Sequence, residues 1–138
     1  RYDEYGNPVE IVKDKHSTMV RLWSYQGMYP VAEIRNATYQ QVENALGTLA
    51  ETLPGGWLSD QVWVTLNSNL RSSVYLKNAL VTTYKYKPLV GIIEMIDPRG
   101  KSTYYDYDVH GRLKEIYIIE GGIKKLLQEN EYKYYNEK

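Results

Sequence analysis

The chain has 138 residues, enough for one domain with a substantial hydrophobic core. Its 17 basic and 17 acidic residues cancel, which excludes the overall positive field expected of a protein that binds nucleic acid or an anionic membrane. The absence of cysteine excludes disulfides, thiolate nucleophiles and cysteine-ligated zinc, and no apolar run approaches the roughly 18 residues of a membrane-spanning helix.

Aromatic usage is uneven, with 15 tyrosines, 3 tryptophans and no phenylalanine. Tyrosine combines an apolar ring with a polar tip, so this usage predicts aromatic side chains on half-buried sheet surfaces. The polar opening RYDEYGNP lacks the residue pattern of a secretory leader and resembles internal sequence. We therefore expect a segment of a longer protein.

Residues 1–35 are predicted to form the first strand pairs. DEYG, from Asp3 to Gly6, places aspartate and glycine at the first and fourth positions of a type I turn. The aspartate side chain accepts a backbone N–H, and the glycine adopts the left-handed conformation that closes a hairpin with a bulge. From Val20 to Ile34 an alternating strand, a Pro/Gly break and a second short strand follow.

Residues 36–78 change to helical periodicity, and we expect a helical hairpin that covers one face of the sheet. NATYQQVENALGTLAETL spaces its apolar residues as one face of a helix and ends at PGG. Thr38 and Gln41 form a capping box at its start, with Asn36 as an alternative cap. A second helix is predicted from Ser59 in SDQVWVTLNSNLRSS, although its VWVTL core also suits a strand.

Residues 79–138 return to strand character, with a break at Lys87–Pro88. The same Asp-x-x-Gly turn sequence recurs in DPRG and DVHG, and Gly121–Gly122 favours one more tight hairpin turn. YDEYGNPVEI, near the start, aligns without gaps on YDVHGRLKEI, sharing Tyr, Asp, Gly, Glu and Ile. The turn residues singled out are Asp3, Gly6, Asp97, Pro98, Gly100, Asp108, Gly111 and Arg112.

Together these elements predict a single α+β domain, dominated by an antiparallel sheet of repeated hairpins with a helical-hairpin insertion. Its parts are the strand pairs of residues 1–35, the insertion of residues 36–78 and the hairpins of residues 79–138.

DYDVHG permits two other interpretations. It begins like a calcium loop, but His110 stands at the fifth position and Tyr117 where a bidentate glutamate is required. Asp106 and Asp108 also lie on one strand face, as paired catalytic carboxylates do. Because the turn already uses Asp108, both interpretations are disfavoured.

Tyr107, Asp108, Gly111, Arg112 and Leu113 match the Tyr-Asp-x-x-Gly-Arg-Leu signature of the YD repeats of RHS-type proteins, which this chain resembles. Residues 80–119 carry the resemblance strongly and residues 1–34 more weakly, while residues 36–78 are not repeat sequence. The resemblance implies a secreted or cell-surface protein whose repeats form a β-sheet shell, enclosing a toxic domain in several members. DPRGKSTYY has only the start of the family's self-cleavage pattern, so no autoproteolysis is expected.

The functional hypothesis is a non-enzymatic scaffold segment without cofactor or metal, whose partners are neighbouring repeats or further copies through sheet edges. Neither His16 nor His110 has a partner placed by a catalytic motif. The alternative is an autonomous carbohydrate- or protein-binding β module, in which rows of tyrosine such as TTYKY, TYYDY and EYKYY face a ligand. The candidate aromatics for it are Trp23, Trp57, Trp63, Tyr105 and Tyr107.

Overall fold

The computed structural model describes residues 1–132 of the chain, which form one antiparallel sheet and a small helical layer. The strands are β1 (Glu10–Asp14), β2 (Ser17–Ser24), β3 (Tyr29–Arg35), β4 (Leu80–Lys87), β5 (Gly91–Ile96), β6 (Ser102–Tyr107), β7 (Leu113–Glu120) and β8 (Ile123–Glu129). The eight strands follow chain order across the sheet, with β1 and β8 at its edges. The expected α+β fold with repeated antiparallel hairpins is therefore confirmed.

The helical layer connects β3 to β4, as the periodicity of residues 36–78 predicts. It consists of α1 (Tyr39–Leu46), α2 (Leu49–Thr52), α3 (Asp60–Ser72) and a 3₁₀ turn (Val74–Leu76). At α1 the Thr38 hydroxyl accepts the Gln41 N–H at 3.3 Å, and the Gln41 side chain accepts the Thr38 N–H at 2.9 Å. The capping box is therefore formed, and the Ser59 hydroxyl caps α3 by accepting the Val62 N–H.

The first helix is shorter than its periodicity suggests. Gly47 takes a left-handed backbone with φ 60° and donates its N–H to the Glu43 carbonyl, so α1 ends eight residues before the PGG sequence. The apolar pattern then continues in α2, whose Ala50 is buried. A glycine at a helix end favours termination because it adopts this conformation without a Cβ clash.

The hydrophobic core lies between the helical layer and only three of the strands. Val20 of β2, Ile34 of β3 and Leu66 of α3 are fully buried. The strand residues of the core cluster all belong to β2, β3 and β4, while Ile96 of β5 packs at its margin. The helices therefore cover less of the sheet than a full face, and β5–β8 extend beyond them.

Arg71, in the last turn of α3, ties the helical layer to the centre of the sheet. Its guanidinium donates to the carbonyls of Asp97 at 2.7 Å and Ile96 at 3.0 Å. Its Nε donates to the Asn67 side chain at 3.1 Å, and that same Asn67 oxygen accepts the buried Thr83 hydroxyl at 2.6 Å. These bonds fix the end of α3 against β4 and the turn after β5.

Candidate functional site

The three Asp-x-x-Gly sequences form turns with the same hydrogen bonds. In each, one aspartate Oδ1 accepts the backbone N–H groups two and four residues later, at distances of 2.8–3.0 Å. The glycine N–H returns to the aspartate carbonyl, with glycine φ between 76° and 84°. The predicted type I turn with a left-handed glycine is therefore present after Asp3, Asp97 and Asp108.

The first and last copies match beyond their turns. Tyr2 forms a β-bridge with Pro8, and Tyr107 pairs with Leu113 in the same way. The two pairs occupy equivalent positions of the gapless alignment. Asn7 donates to the second Asp3 oxygen at 3.4 Å, as Arg112 does to that of Asp108 at 2.9 Å. The repeat unit seen in the sequence is thus a structural unit with a shared register.

The aspartates of these turns hold the backbone. The Arg112 backbone N–H, helped by the N–H of His110 and the Arg112 side chain, lowers the pKa of Asp108. Among residues 1–132, no group of three or more His, Asp or Glu side chains is arranged to hold a metal ion. Among the described residues, the contacts of Asp108 are those of a turn residue that holds the backbone.

Tyr107, the tyrosine of the repeated Tyr-Asp sequence, contacts the backbone of the neighbouring strand β5. Its hydroxyl donates to the Ile92 carbonyl at 2.7 Å. A Cβ on Gly91 would lie 2.5 Å from that hydroxyl oxygen. Tyr107 therefore packs against the β5 backbone at a position where only glycine leaves room, and this contact accounts for the residue without a ligand.

An aromatic cluster of Tyr25, Tyr29, Trp57 and Tyr86 closes one end of the sheet. Tyr25 lies at its centre, with edge-to-face ring contacts at 5.5 Å to Tyr29, 5.6 Å to Trp57 and 6.1 Å to Tyr86. Tyr29 and Tyr86 are stacked at 4.8 Å. Burial raises the pKa of Tyr86 to about 12, because it disfavours the phenolate.

The backbone at the aromatic cluster has an unusual conformation, which hydrogen bonds stabilise. Tyr25 and Leu89 both have positive φ, at 55° and 66°, which is uncommon for side chains of this size. The Tyr25 N–H donates to the Gly56 carbonyl at 2.8 Å, and its hydroxyl donates to the Tyr86 carbonyl. The Leu89 N–H donates to the Tyr29 hydroxyl at 3.0 Å. The cluster thus joins two hairpin turns and the loop before α3.

The candidate aromatics have different environments. Trp63 is buried in the core, so packing accounts for it. Trp23 is half-buried and donates its ring N–H to the Pro8 carbonyl at 2.9 Å, which attaches the first turn to β2. Tyr105 is half-buried on β6. Trp57 is 55% exposed, with its edge-to-face partner Tyr25 buried behind it.

Sequence reasoning missed the aromatic cluster as a unit. Its signal is present, because SYQGMYP and YKYKP each place tyrosines beside a Gly or Pro turn. Joining them requires knowing that β3 pairs with β4, although the long helical segment separates these strands in the chain. Of the three tyrosines in the predicted row EYKYY, only Tyr132 lies among the described residues. Its hydroxyl donates to the Leu113 carbonyl at 2.6 Å, while Tyr134 and Tyr135 lie outside the described residues.

The two edges of the sheet differ. All seven residues of β8 are exposed, including Ile123, Leu126 and Leu127. β1 has five residues, and the N–H of Val9 just before it is already bonded to the Arg1 carbonyl at 2.9 Å. The β8 edge is therefore the longer of the two and exposes three large apolar side chains, whereas β1 exposes Val12.

Comparison with known proteins adds no family assignment. No protein-family model matches the sequence, and no curated protein is significantly similar to it. Within residues 1–132, the helices are all too short and too polar to cross a lipid bilayer.

The contact between Gly91 and Tyr107 predicts a coupled pair. Gly91→Ala should lower the free energy of unfolding by about 2–4 kcal/mol, from backbone strain and the displaced Tyr107 hydrogen bond. In a Tyr107→Phe background the same change should cost less, with a coupling of roughly 0.5–3 kcal/mol, measured by urea unfolding. Gly111→Ala is the control, since φ is also positive there but a Cβ meets nothing within 4 Å. Additive costs would contradict the contact.

Alkaline pH should destabilise the aromatic cluster. Because the folded-state pKa of Tyr86 is raised from 10.0 to about 12, its contribution to stability is full below pH 10 and is lost as pH rises through 12. Tyr86→Phe should reduce this decline, measured as urea midpoints over that range together with tyrosinate absorbance. The exposed Tyr75→Phe should keep the wild-type profile. Equal declines in wild type and Tyr86→Phe would contradict the assignment.

Proposed function

We propose that the chain is a non-enzymatic structural segment of a larger, secreted or cell-surface repeat protein, and that its β8 edge pairs with a strand of a neighbouring repeat or of another copy. The observation that carries this proposal is the exposed β8 edge. Unpaired strand edges present rows of N–H and C=O groups that pair readily with another strand.

The lysines of β8 do little to protect that edge. Lys124 lies 2.6 Å from Glu115 and 4.4 Å from the centre of the Tyr117 ring, and Lys125 lies 2.7 Å from Glu120. Both ammonium groups are therefore paired with carboxylates of β7, the strand next to β8 inside the sheet. Lysines that protect a sheet edge from pairing with another strand usually extend outward instead. A bulge affects only the end of β8, beyond Leu126, so Ile123 to Leu126 keep a regular register.

The repeated turns support a scaffold in a second way. Repeats that share a turn and a register stack on one another, and each leaves its last strand for the next repeat. The Asp-x-x-Gly turns of this chain have this property, and the resemblance of residues 80–119 to YD repeats points in the same direction. A role without catalysis is further supported by Asp3, Asp97 and Asp108, whose carboxylates bind backbone N–H groups.

Self-association through β8 is the direct test. We expect the mass of the wild-type chain, measured by light scattering after size exclusion, to rise with concentration. Ile123→Lys/Leu127→Lys should stay monomeric, because two added charges on exposed side chains oppose strand pairing without disturbing the fold. The control Leu89→Lys/Val109→Lys makes the same exchange at residues that are 90% and 97% exposed in turns.

Two results would contradict this assignment of the edge. One is a wild-type chain that stays monomeric over the whole concentration range. The other is a control variant that loses association as completely as the β8 variant, since that would locate the contact at the turns.

A second candidate function, ligand binding by an autonomous module, is favoured by Trp57 alone. Its ring is half exposed on a rigid aromatic support, as stacking sites for sugars or protein side chains require. If a glycan screen finds a ligand, Trp57→Ala should weaken binding about tenfold or more, equivalent to roughly 1.4 kcal/mol. Tyr75→Ala, an exposed aromatic outside the cluster, should bind as wild type. Equal binding by both variants would exclude this site.

A further inference from the structure

A basic cavity lies where the helical layer meets the turn between β5 and β6. Its volume is about 430 Å³, and it is bounded by the end of α3, the 3₁₀ turn, the start of β4 and residues 98–100. Three of its lining residues are cationic, namely Arg71, Lys77 and Arg99, and none is acidic. In a chain whose charges cancel overall, this is a local excess of positive charge.

The two exposed cations of the basic cavity are available to a ligand. Within residues 1–132, neither the Lys77 ammonium nor the Arg99 guanidinium has a hydrogen bond or ion pair with another residue. Lys77 directly follows the 3₁₀ turn and Arg99 lies in the Asp97 turn, and hydrogen bonds hold the backbones of both segments. The positions from which these charges project are therefore fixed before any ligand arrives.

The third cation is held in place. Arg71 is half-buried, and its four donor contacts go to carbonyl, amide or hydroxyl oxygens. Among the ion pairs of the described residues, none involves Arg71. Neutral acceptors satisfy its N–H groups but leave its positive charge, and the partial burial of Arg71 lessens the screening of that charge by water.

One acidic group opposes an anion here. The carboxylate of Asp97 is near enough to Arg71 to favour its charged form. That carboxylate already accepts the backbone N–H groups of Arg99 and Lys101 at 2.9 Å. Among the described residues that line the cavity and the carboxylate that acts on Arg71, three positive charges face one negative charge.

We propose that the basic cavity binds a small anion carrying phosphate or carboxylate groups, contacted by Lys77 and Arg99 and attracted by the fixed charge of Arg71. This proposal is independent of the scaffold function. The volume of the basic cavity exceeds that of a single phosphate, so a ligand with two or more anionic groups suits the cavity best. Such a ligand would bridge the helical layer and a repeat turn, and would stabilise the folded chain by mass action.

The experiment measures thermal unfolding of the 138-residue chain with inorganic pyrophosphate, citrate or sodium chloride at matched ionic strength. We expect pyrophosphate, citrate or both to raise the midpoint by roughly 5–10 °C at a hundredfold excess over Kd. Lys77→Gln/Arg99→Gln should lose at least most of this rise. The control Lys87→Gln/Lys114→Gln removes two exposed positive charges outside the cavity and should keep it.

Each outcome decides the proposal. A rise with pyrophosphate alone or citrate alone supports the site and identifies phosphate or carboxylate as its ligand chemistry. No rise with either anion, or equal rises in the cavity and control variants, would overturn it, because a general salt effect would then account for the data. Circular dichroism of both variants without anion verifies that they remain folded.

Discussion

The aspartate carboxylate that accepts two backbone N–H groups across a hairpin turn fixes the register of the β5–β6 and β6–β7 pairs. In the turn after Asp108, the carboxylate and the left-handed glycine together fix which residues of β6 and β7 face one another. A slip of one residue would place Tyr107 on the opposite face and remove its hydrogen bond to Ile92. The local turn chemistry and the contact with the next hairpin therefore specify the same arrangement.

Because the helical layer covers only part of the sheet, the covered and uncovered parts of the sheet are stabilised differently. Where helices cover β2, β3 and β4, residues such as Ile34 and Leu66 are fully buried. Beyond Ile96 of β5, which packs at the margin of the core and whose carbonyl accepts a hydrogen bond from Arg71, the described strands extend past the helical layer, and half-buried tyrosines and ion pairs replace a core there. The stacked pair of Tyr104 and Tyr117, at 5.3 Å, is one example. Among residues 1–132, β8 is the last strand of the sheet, so its exposed edge lies at the end farthest from the core.

Arg71 shows how one polar contact serves both stability and surface chemistry. Its bonds to the carbonyls of Ile96 and Asp97 fasten the helical layer to a repeat turn, which also places Arg99 near Lys77. The basic cavity thus results from docking the insertion on the sheet. The aromatic cluster has a similar origin at the other end of β4, where Tyr86 meets the turn that carries Tyr25.

The sequence by itself determined the local elements. The Asp-x-x-Gly turns, the Gly121–Gly122 hairpin and the caps at Thr38 and Ser59 depend on side chains that bond to their own nearby backbone, or on glycine conformation, so short sequence windows contain them. Other features were decided by the tertiary structure alone: the limited reach of the helical layer, the burial of Trp63 against the exposure of Trp57, and the assembly of the aromatic cluster and the basic cavity. These features depend on contacts between residues far apart in the chain, and the pairing of β3 with β4 across the helical segment brings those residues together.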